Sequence, residues 1–203
     1  MSRGRLLDRR YSLGGIGDVA PPVQPDNEKS SHGGNRSIIL VGLMGVGKTT
    51  VGQLLADRLR RPFVDTDHEI EHVTRMSISD LFDRYGETAF RDGERRVIER
   101  LIDGIPKVIA TGGGAFMNEQ TRSLILERGR AIWLDADLDV LVARTGRRPG
   151  QRPLLRGRDP RRTLAELAVV RSPIYALAHF HVRNQTGCHR MAVKAILEAI
   201  GER

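Results

Sequence analysis

The chain has 203 residues, 39% of them hydrophobic and 29% charged, enough for one ordinary domain with its own core and some chain to spare. A single cysteine, Cys188, excludes an intrachain disulfide, and no apolar run reaches the roughly 18 residues of a membrane span. The net charge of +8 points to an anionic partner, but aromatics are only 4%, too few for the stacking platforms of a single-strand binder, so the expectation is a small anionic molecule, with no nucleic acid and no membrane as partner.

Residues 1–36 carry Gly14-Gly15, Pro21-Pro22, Pro25, Ser30-Ser31 and Gly33-Gly34 without a sustained apolar period, which reads as a flexible N-terminal extension. It lacks the apolar stretch of a secretory signal, and Asp8, Asp18, Asp26 and Glu28 disfavour a transit peptide; the expected location is cytoplasmic. From residue 37 to the end, strands and helices alternate. Ser37–Val41 is an apolar run that reads as a buried strand, and Lys48–Arg60 is amphipathic, with Val51, Leu54, Leu55 and Leu59 on one face. Pro62–Asp65 is a second strand. Ser77, with Asp80 three places on, caps a helix whose face holds Ile78, Leu81, Phe82 and Tyr85. Phe90, Val97, Ile98 and Leu101 mark the next helical face. Lys107–Ala110 is a third strand, and Asn118 caps a helix stopping near Gly129. Ala131–Leu134 is a fourth strand, followed by a helix over Leu138–Arg144 capped by Asp137. Thr145–Pro160 has no period and lies within an arginine-rich stretch, with seven arginines from Arg147 to Arg162; a loop this long in a compact domain is usually functional. Helix resumes over Thr163–Ala178, Phe180–Val182 is a fifth strand, and His189–Ile200 is a closing helix. The alternation predicts an α/β domain with a five-stranded parallel sheet flanked by helices.

Gly42-Leu43-Met44-Gly45-Val46-Gly47-Lys48-Thr49 fits G-x-x-x-x-G-K-[ST] and stands between a predicted strand and a predicted helix, as a phosphate-binding loop requires. Backbone N–H groups of such a loop face a phosphate, and the helix N-terminus adds partial positive charge. Lys48 is placed for the β- and γ-phosphates of a nucleoside triphosphate and the Thr49 hydroxyl for Mg²⁺. The loop does not name the acceptor of the phosphoryl group.

Asp65-Thr66-Asp67 ends the second strand, where ligands of an open α/β sheet sit. Side chains alternate along a strand, so Asp65 and Asp67 are expected on one side, one supporting Mg²⁺ and the other accepting a hydrogen bond from an acceptor hydroxyl. Arg91, near Glu87 and Glu94, reads equally as a surface ion pair or as a fork for a substrate carboxylate. Gly112-Gly113-Gly114 closes the third strand, either as a plain turn or to let a ligand approach the backbone.

Taken together, G-x-x-G-x-G-K-T, D-T-D, F-R-x-x-E, G-G-G and Arg152-Pro153-Leu154-Leu155, in this order, resemble the shikimate kinase family over roughly residues 37 to 200. The resemblance implies a P-loop kinase fold with a mobile lid over about 145–160. It also implies transfer of the γ-phosphoryl group of ATP to the 3-hydroxyl of shikimate, with Mg²⁺, on the way to chorismate and the aromatic amino acids. Gly45, Val46, Gly47, Lys48, Thr49 and Thr50 would hold the nucleotide, with Asp65 joining Thr49 at the metal. Asp67 would hold the shikimate hydroxyls. Arg91 and Arg171 would grip its carboxylate beside Gly113 and Gly114. Arg152 would meet the transferred phosphate from the lid. Arg144 would lie near the base, and Asn184–Thr186 in the adenine loop. The chain is expected to work as a monomer. A gluconate kinase-like enzyme shares the nucleotide half of this pattern, and a non-catalytic nucleotide-binding regulator would share the fold. The carboxylate arginines weigh against the first, and intact Lys48, Asp65, Asp67 and Arg152 against the second.

Overall fold

The computed structural model describes residues 36–146, 157–184 and 188–202. The extension up to residue 35 and most of the arginine-rich loop, Arg152 included, lie outside the described residues. So do Gln185 and Thr186 of the expected adenine loop, with Gly187 after them.

Five strands, β1 (Ile38–Val41), β2 (Phe63–Asp65), β3 (Val108–Ala110), β4 (Arg130–Asp135) and β5 (Phe180–Arg183), form one sheet in the order β2-β3-β1-β4-β5, with every pairing parallel. β1 is central, pairing Leu40 with Ala110 on one side and with Ile132 on the other. It is apolar on both faces because helices cover both, and all four of its residues are buried. β1 connects past β3 to β2, whereas its neighbour β3 connects the opposite way, past β1, to β4, so the winding changes direction between β1 and β3. The loops after β1, β2 and β3 therefore open at the same sheet end, the usual ligand crevice of such sheets.

Seven α-helices and one 3-10 turn are described: α1 (Lys48–Leu59), α2 (Thr66–Thr74), α3 (Ile78–Ile102), the 3-10 turn Ala115–Met117, α4 (Glu119–Arg128), α5 (Leu138–Gly146), α6 (Pro160–Tyr175) and α7 (His189–Ile200). Ser77 and Asn118 act as N-caps as expected, accepting from the N–H groups of Asp80 and Thr121.

Several expectations need correction. The two helical faces read on either side of residue 86 need none: α3 is kinked at Gly86, whose φ of 78° and ψ of 169° are not helical, into the two helical stretches expected. α2 has no counterpart in the sequence reading: its buried residues are only Thr66, Ile70 and Thr74, two of them threonines, so no apolar period announces it. The strand argument for Asp65 and Asp67 fails with it. β2 ends at Asp65, which becomes the N-cap of α2, and Asp67 lies in that helix's first turn, donating its backbone N–H to Asp65 Oδ1 at 3.1 Å. α5 runs on to Gly146, held by the Thr145 hydroxyl donating to the Leu141 carbonyl at 2.8 Å. α6 starts three residues earlier than expected, because Asp159 caps it and Pro160 suits its first turn.

Candidate active site

The phosphate loop leaves β1 and enters α1 directly. Gly42 has φ 138° and Gly47 φ 97°, conformations that L side chains rarely adopt. Space demands glycine as well: a Cβ on Gly42 would run into the Leu134 carbonyl of β4, and one on Gly47 would stand 3.0 Å from His189 Nε2 and 3.3 Å from the Arg144 guanidinium. β4, α5 and α7 thus wall the loop. Lys48 Nζ folds back to donate to the carbonyls of Gly42 (2.7 Å) and Leu43 (2.9 Å). Arg144 donates to the carbonyls of Gly45 (3.3 Å) and Val46 (3.0 Å). The Thr49 hydroxyl donates to Asp65 Oδ2 at 2.7 Å, and Thr50 is exposed on the same first turn. Loop, lysine, arginine and the Thr49–Asp65 pair are therefore one cluster, which brings together Gly45, Val46, Gly47, Lys48, Thr49, Asp65 and Arg144. Asn184 is buried, and its backbone N–H donates to the Asp135 carbonyl at 2.7 Å.

Beside this cluster, each glycine of the Gly112–Gly114 turn faces a different working group. A Cβ on Gly112 would lie 2.7 Å from Asp67 Oδ1 and 2.9 Å from Glu94 Oε1. One on Gly114 would collide with the Arg91 guanidinium. The Gly113 carbonyl accepts from Arg171 Nη1 (3.0 Å) and from the Tyr175 hydroxyl (2.5 Å), while a Cβ on Gly113 would stand 3.6 Å from the Gly42 carbonyl oxygen and the Met44 nitrogen of the phosphate loop. The turn is held in turn by the Thr66 hydroxyl, which accepts from the Gly112 N–H at 3.2 Å. The two glycine readings left open by the sequence resolve into close approach, by protein groups that ring the site.

Electrostatics at this turn are unusual. Burial, then the neighbouring Asp65 charge, push the Asp67 carboxyl up to about 6, against the pull of Lys48. Burial likewise lifts Glu94 to about 7, although Arg91 opposes it from 2.7 Å. The Glu94 side chain is 1% exposed; Oε2 takes the Arg91 bond and Oε1 has no hydrogen-bond partner. Arg91 also reaches Glu87 at 3.3 Å and lies over the Phe90 ring. Arg91 and Arg171, with Gly114, Met117, Asn118, Glu87, Thr88 and Asp92, line a pocket of about 410 Å³. Arg91 is thus ion-paired and also lines the pocket.

The sequence reading assigned three participants no role at the site. Glu94 reads in the sequence as a partner for Arg91 and as the end of F-R-x-x-E, and the spacing of three on a helix puts the two on one face. Tyr175, four residues after Arg171, belongs to the family likeness around that arginine, but without a role of its own. Gly112 was grouped with its neighbours and given no role.

A sequence model of the shikimate kinase family matches residues 44–201. The chain is 53% identical over 165 residues to a shikimate kinase of Caulobacter vibrioides, covering 81% of this chain and 82% of that protein. It is 47% identical over 187 residues to one of Bradyrhizobium diazoefficiens, covering 91% and 90%. Among solved structures, shikimate kinase from Acinetobacter baumannii in complex with shikimate superposes with a TM-score of 0.77 at 38% identity, over 81% of this chain and 92% of that one. A gluconokinase from Sinorhizobium meliloti reaches a TM-score of 0.53 at 17% identity, over 81% and 91%, which speaks for a shared fold alone. With a family match across most of the chain and a phosphate loop joined to a carboxylate-and-arginine pocket, this chain belongs to the shikimate kinase family.

Proposed function

We propose that this enzyme transfers the γ-phosphoryl group of ATP to the 3-hydroxyl of shikimate, with the acceptor held between Asp67 on one side and Arg91 and Arg171 on the other. One observation carries the reading: a single three-glycine turn touches Asp67, Arg91, Arg171 and the phosphate loop. An acceptor bearing both a hydroxyl and a carboxylate matches that spread of groups.

In this reading the substrate carboxylate pairs with the two guanidiniums, whose planar forks suit it. Its hydroxyl donates to Asp67. As the hydroxyl oxygen bonds to the γ-phosphorus, the bond from that phosphorus to the bridging oxygen of ADP breaks and the hydroxyl proton passes to Asp67. The transition state of such transfers is loose, so position and charge neutralisation outweigh proton abstraction. Lys48 neutralises charge on the phosphates, Arg144 steadies the loop carbonyls and lies towards the base, and Gly45, Val46, Gly47, Thr49 and Thr50 surround the nucleotide. Arg152, outside the described residues, is assigned to the transferred phosphate.

Mg²⁺ fits the residues present. Thr49 Oγ1 and Asp65 Oδ2 are hard oxygen donors 2.7 Å apart at the loop. Among the described residues no three His, Cys, Asp or Glu side chains are grouped to hold a metal, and Mg²⁺ is typically held by one or two protein oxygens plus substrate phosphates. When bound, the ion neutralises phosphate charge. All these groups come from one chain, which supports a monomer as the working form. No helix among the described residues is long and apolar enough to cross a membrane, and a cytoplasmic location agrees with that.

A coupled assay of ADP release tests the reading. Turnover with shikimate and none with gluconate is the expected result; the opposite preference, or ATP binding without turnover on either, overturns it.

A further inference from the structure

The Gly113 carbonyl receives two donors from one helix face: Arg171 Nη1 at 3.0 Å and the Tyr175 hydroxyl at 2.5 Å. The two residues lie one turn apart on α6, so both reach the same side. Tyr175 is 1% exposed, with its ring between Phe116 at 6.4 Å and Trp133 at 6.1 Å. Burial pushes its phenol up to about 12, so it remains a donor at any working pH. A carbonyl oxygen has two lone pairs and accepts both bonds together.

We infer that Tyr175 is a positioning residue that holds the Gly113 carbonyl so that Arg171 is free to exchange this bond for the substrate's carboxylate. This role rests on the carboxylate contact proposed for Arg171 above. Arg171 on its own would have to leave a part-buried carbonyl without a partner each time it turned to the acceptor, and an orphaned buried acceptor costs as much as the new bond gives. The second donor removes that conflict. It also ties the turn to the nucleotide side, because a Cβ on Gly113 would stand 3.6 Å from the Gly42 carbonyl oxygen and from the Met44 nitrogen of the phosphate loop. Arg171 thus changes partner while the turn between acceptor pocket and nucleotide stays in place.

The test is steady-state kinetics for both substrates in the parent, Tyr175→Phe, Arg171→Lys and the double variant, with melting temperatures. Tyr175→Phe keeps the ring and loses the donor. It is expected to raise KM for shikimate about tenfold, the cost of one neutral hydrogen bond, while KM for ATP stays within about twofold. In the Arg171→Lys background the same change should cost less than about threefold, because the guanidinium it serves is gone. Trp133→Phe, which disturbs the ring packing but keeps the hydroxyl, should leave KM for shikimate within about twofold. The inference is overturned by an unchanged KM for shikimate in Tyr175→Phe, by equal rises in both KM values, by full additivity with Arg171→Lys, or by a collapse of melting temperature that Trp133→Phe reproduces. Failure of the underlying reading shows separately, as an Arg171→Lys variant whose shikimate KM equals the parent's.

Discussion

Asp67 and Glu94 reach the same point beside Gly112 from two different helices, and they serve different ends. Asp67 is the group assigned to the acceptor hydroxyl. Asp67→Asn keeps its size but loses the charge that orients the hydroxyl and takes its proton, while the phosphate loop is untouched. Turnover is expected to fall at least about a hundredfold with nucleotide affinity within about threefold, read by ADP release and by calorimetry; near-parental turnover would remove Asp67 from its role. Glu94 is a matter of stability. Burial lifts its carboxyl from 4.5 to about 7, so the folded protein keeps a proton that the unfolded chain has already released. The stabilisation from that proton is complete below about pH 4.5 and is lost as pH rises through 7. Glu94→Gln cannot titrate. Relative to it, the parent should lose stability on the order of 3 kcal/mol between about pH 4.5 and pH 8, measured by thermal unfolding without ligands. A gap that does not change with pH would mean Glu94 is ionised throughout.

The Gly112–Gly114 turn shows why some elements were legible in the sequence and others were not. β1 and α7 follow the expected bounds closely because apolar residues recur at the required spacing: Ala192, Val193, Ile196 and Leu197 line one face of α7. The P-loop follows from local backbone chemistry, which a short motif records. α2 was invisible because its inner face is threonine and one isoleucine. The glycine turn was visible as letters, but its meaning depends on side chains from α2, α3 and α6 that arrive from far along the chain, and no local pattern encodes that meeting. Asp67 at a strand end and Arg91 as a carboxylate fork were readable as candidates from the residues, whereas Arg171 entered only through the likeness to a family; the convergence of the three is a tertiary fact. The turn's tolerance is narrow. Gly112→Ala would push its methyl between Asp67 and Glu94. Overpacking of this kind costs about 1–3 kcal/mol, so the melting temperature should drop by several degrees and KM for shikimate should rise with KM for ATP nearly unchanged. Equal effects on both constants would show that the turn serves the nucleotide as much as the acceptor.

At the scale of the molecule, the described sheet and helices close a complete core without residues 1–35: β1 begins at Ile38 and is already central and buried. Deleting residues 1–35 is therefore expected to leave turnover within about twofold and the melting temperature within a few degrees, as an apolar-poor segment contributes little packing. A large loss by either measure would show that the segment docks on the domain. The reversal of winding between β1 and β3 brings the nucleotide loop, the acceptor pocket and the edge of β4 within one small volume, and the chain's single tryptophan stands there. Trp133 stacks on His181 at 4.0 Å, packs on Tyr175, and touches the Gly42 corner of the phosphate loop. Its indole is therefore a built-in optical probe: one emission spectrum, free of any other tryptophan's contribution, reports from the packing of Tyr175 and the phosphate-loop corner, and ligand titrations can be followed in unlabelled enzyme.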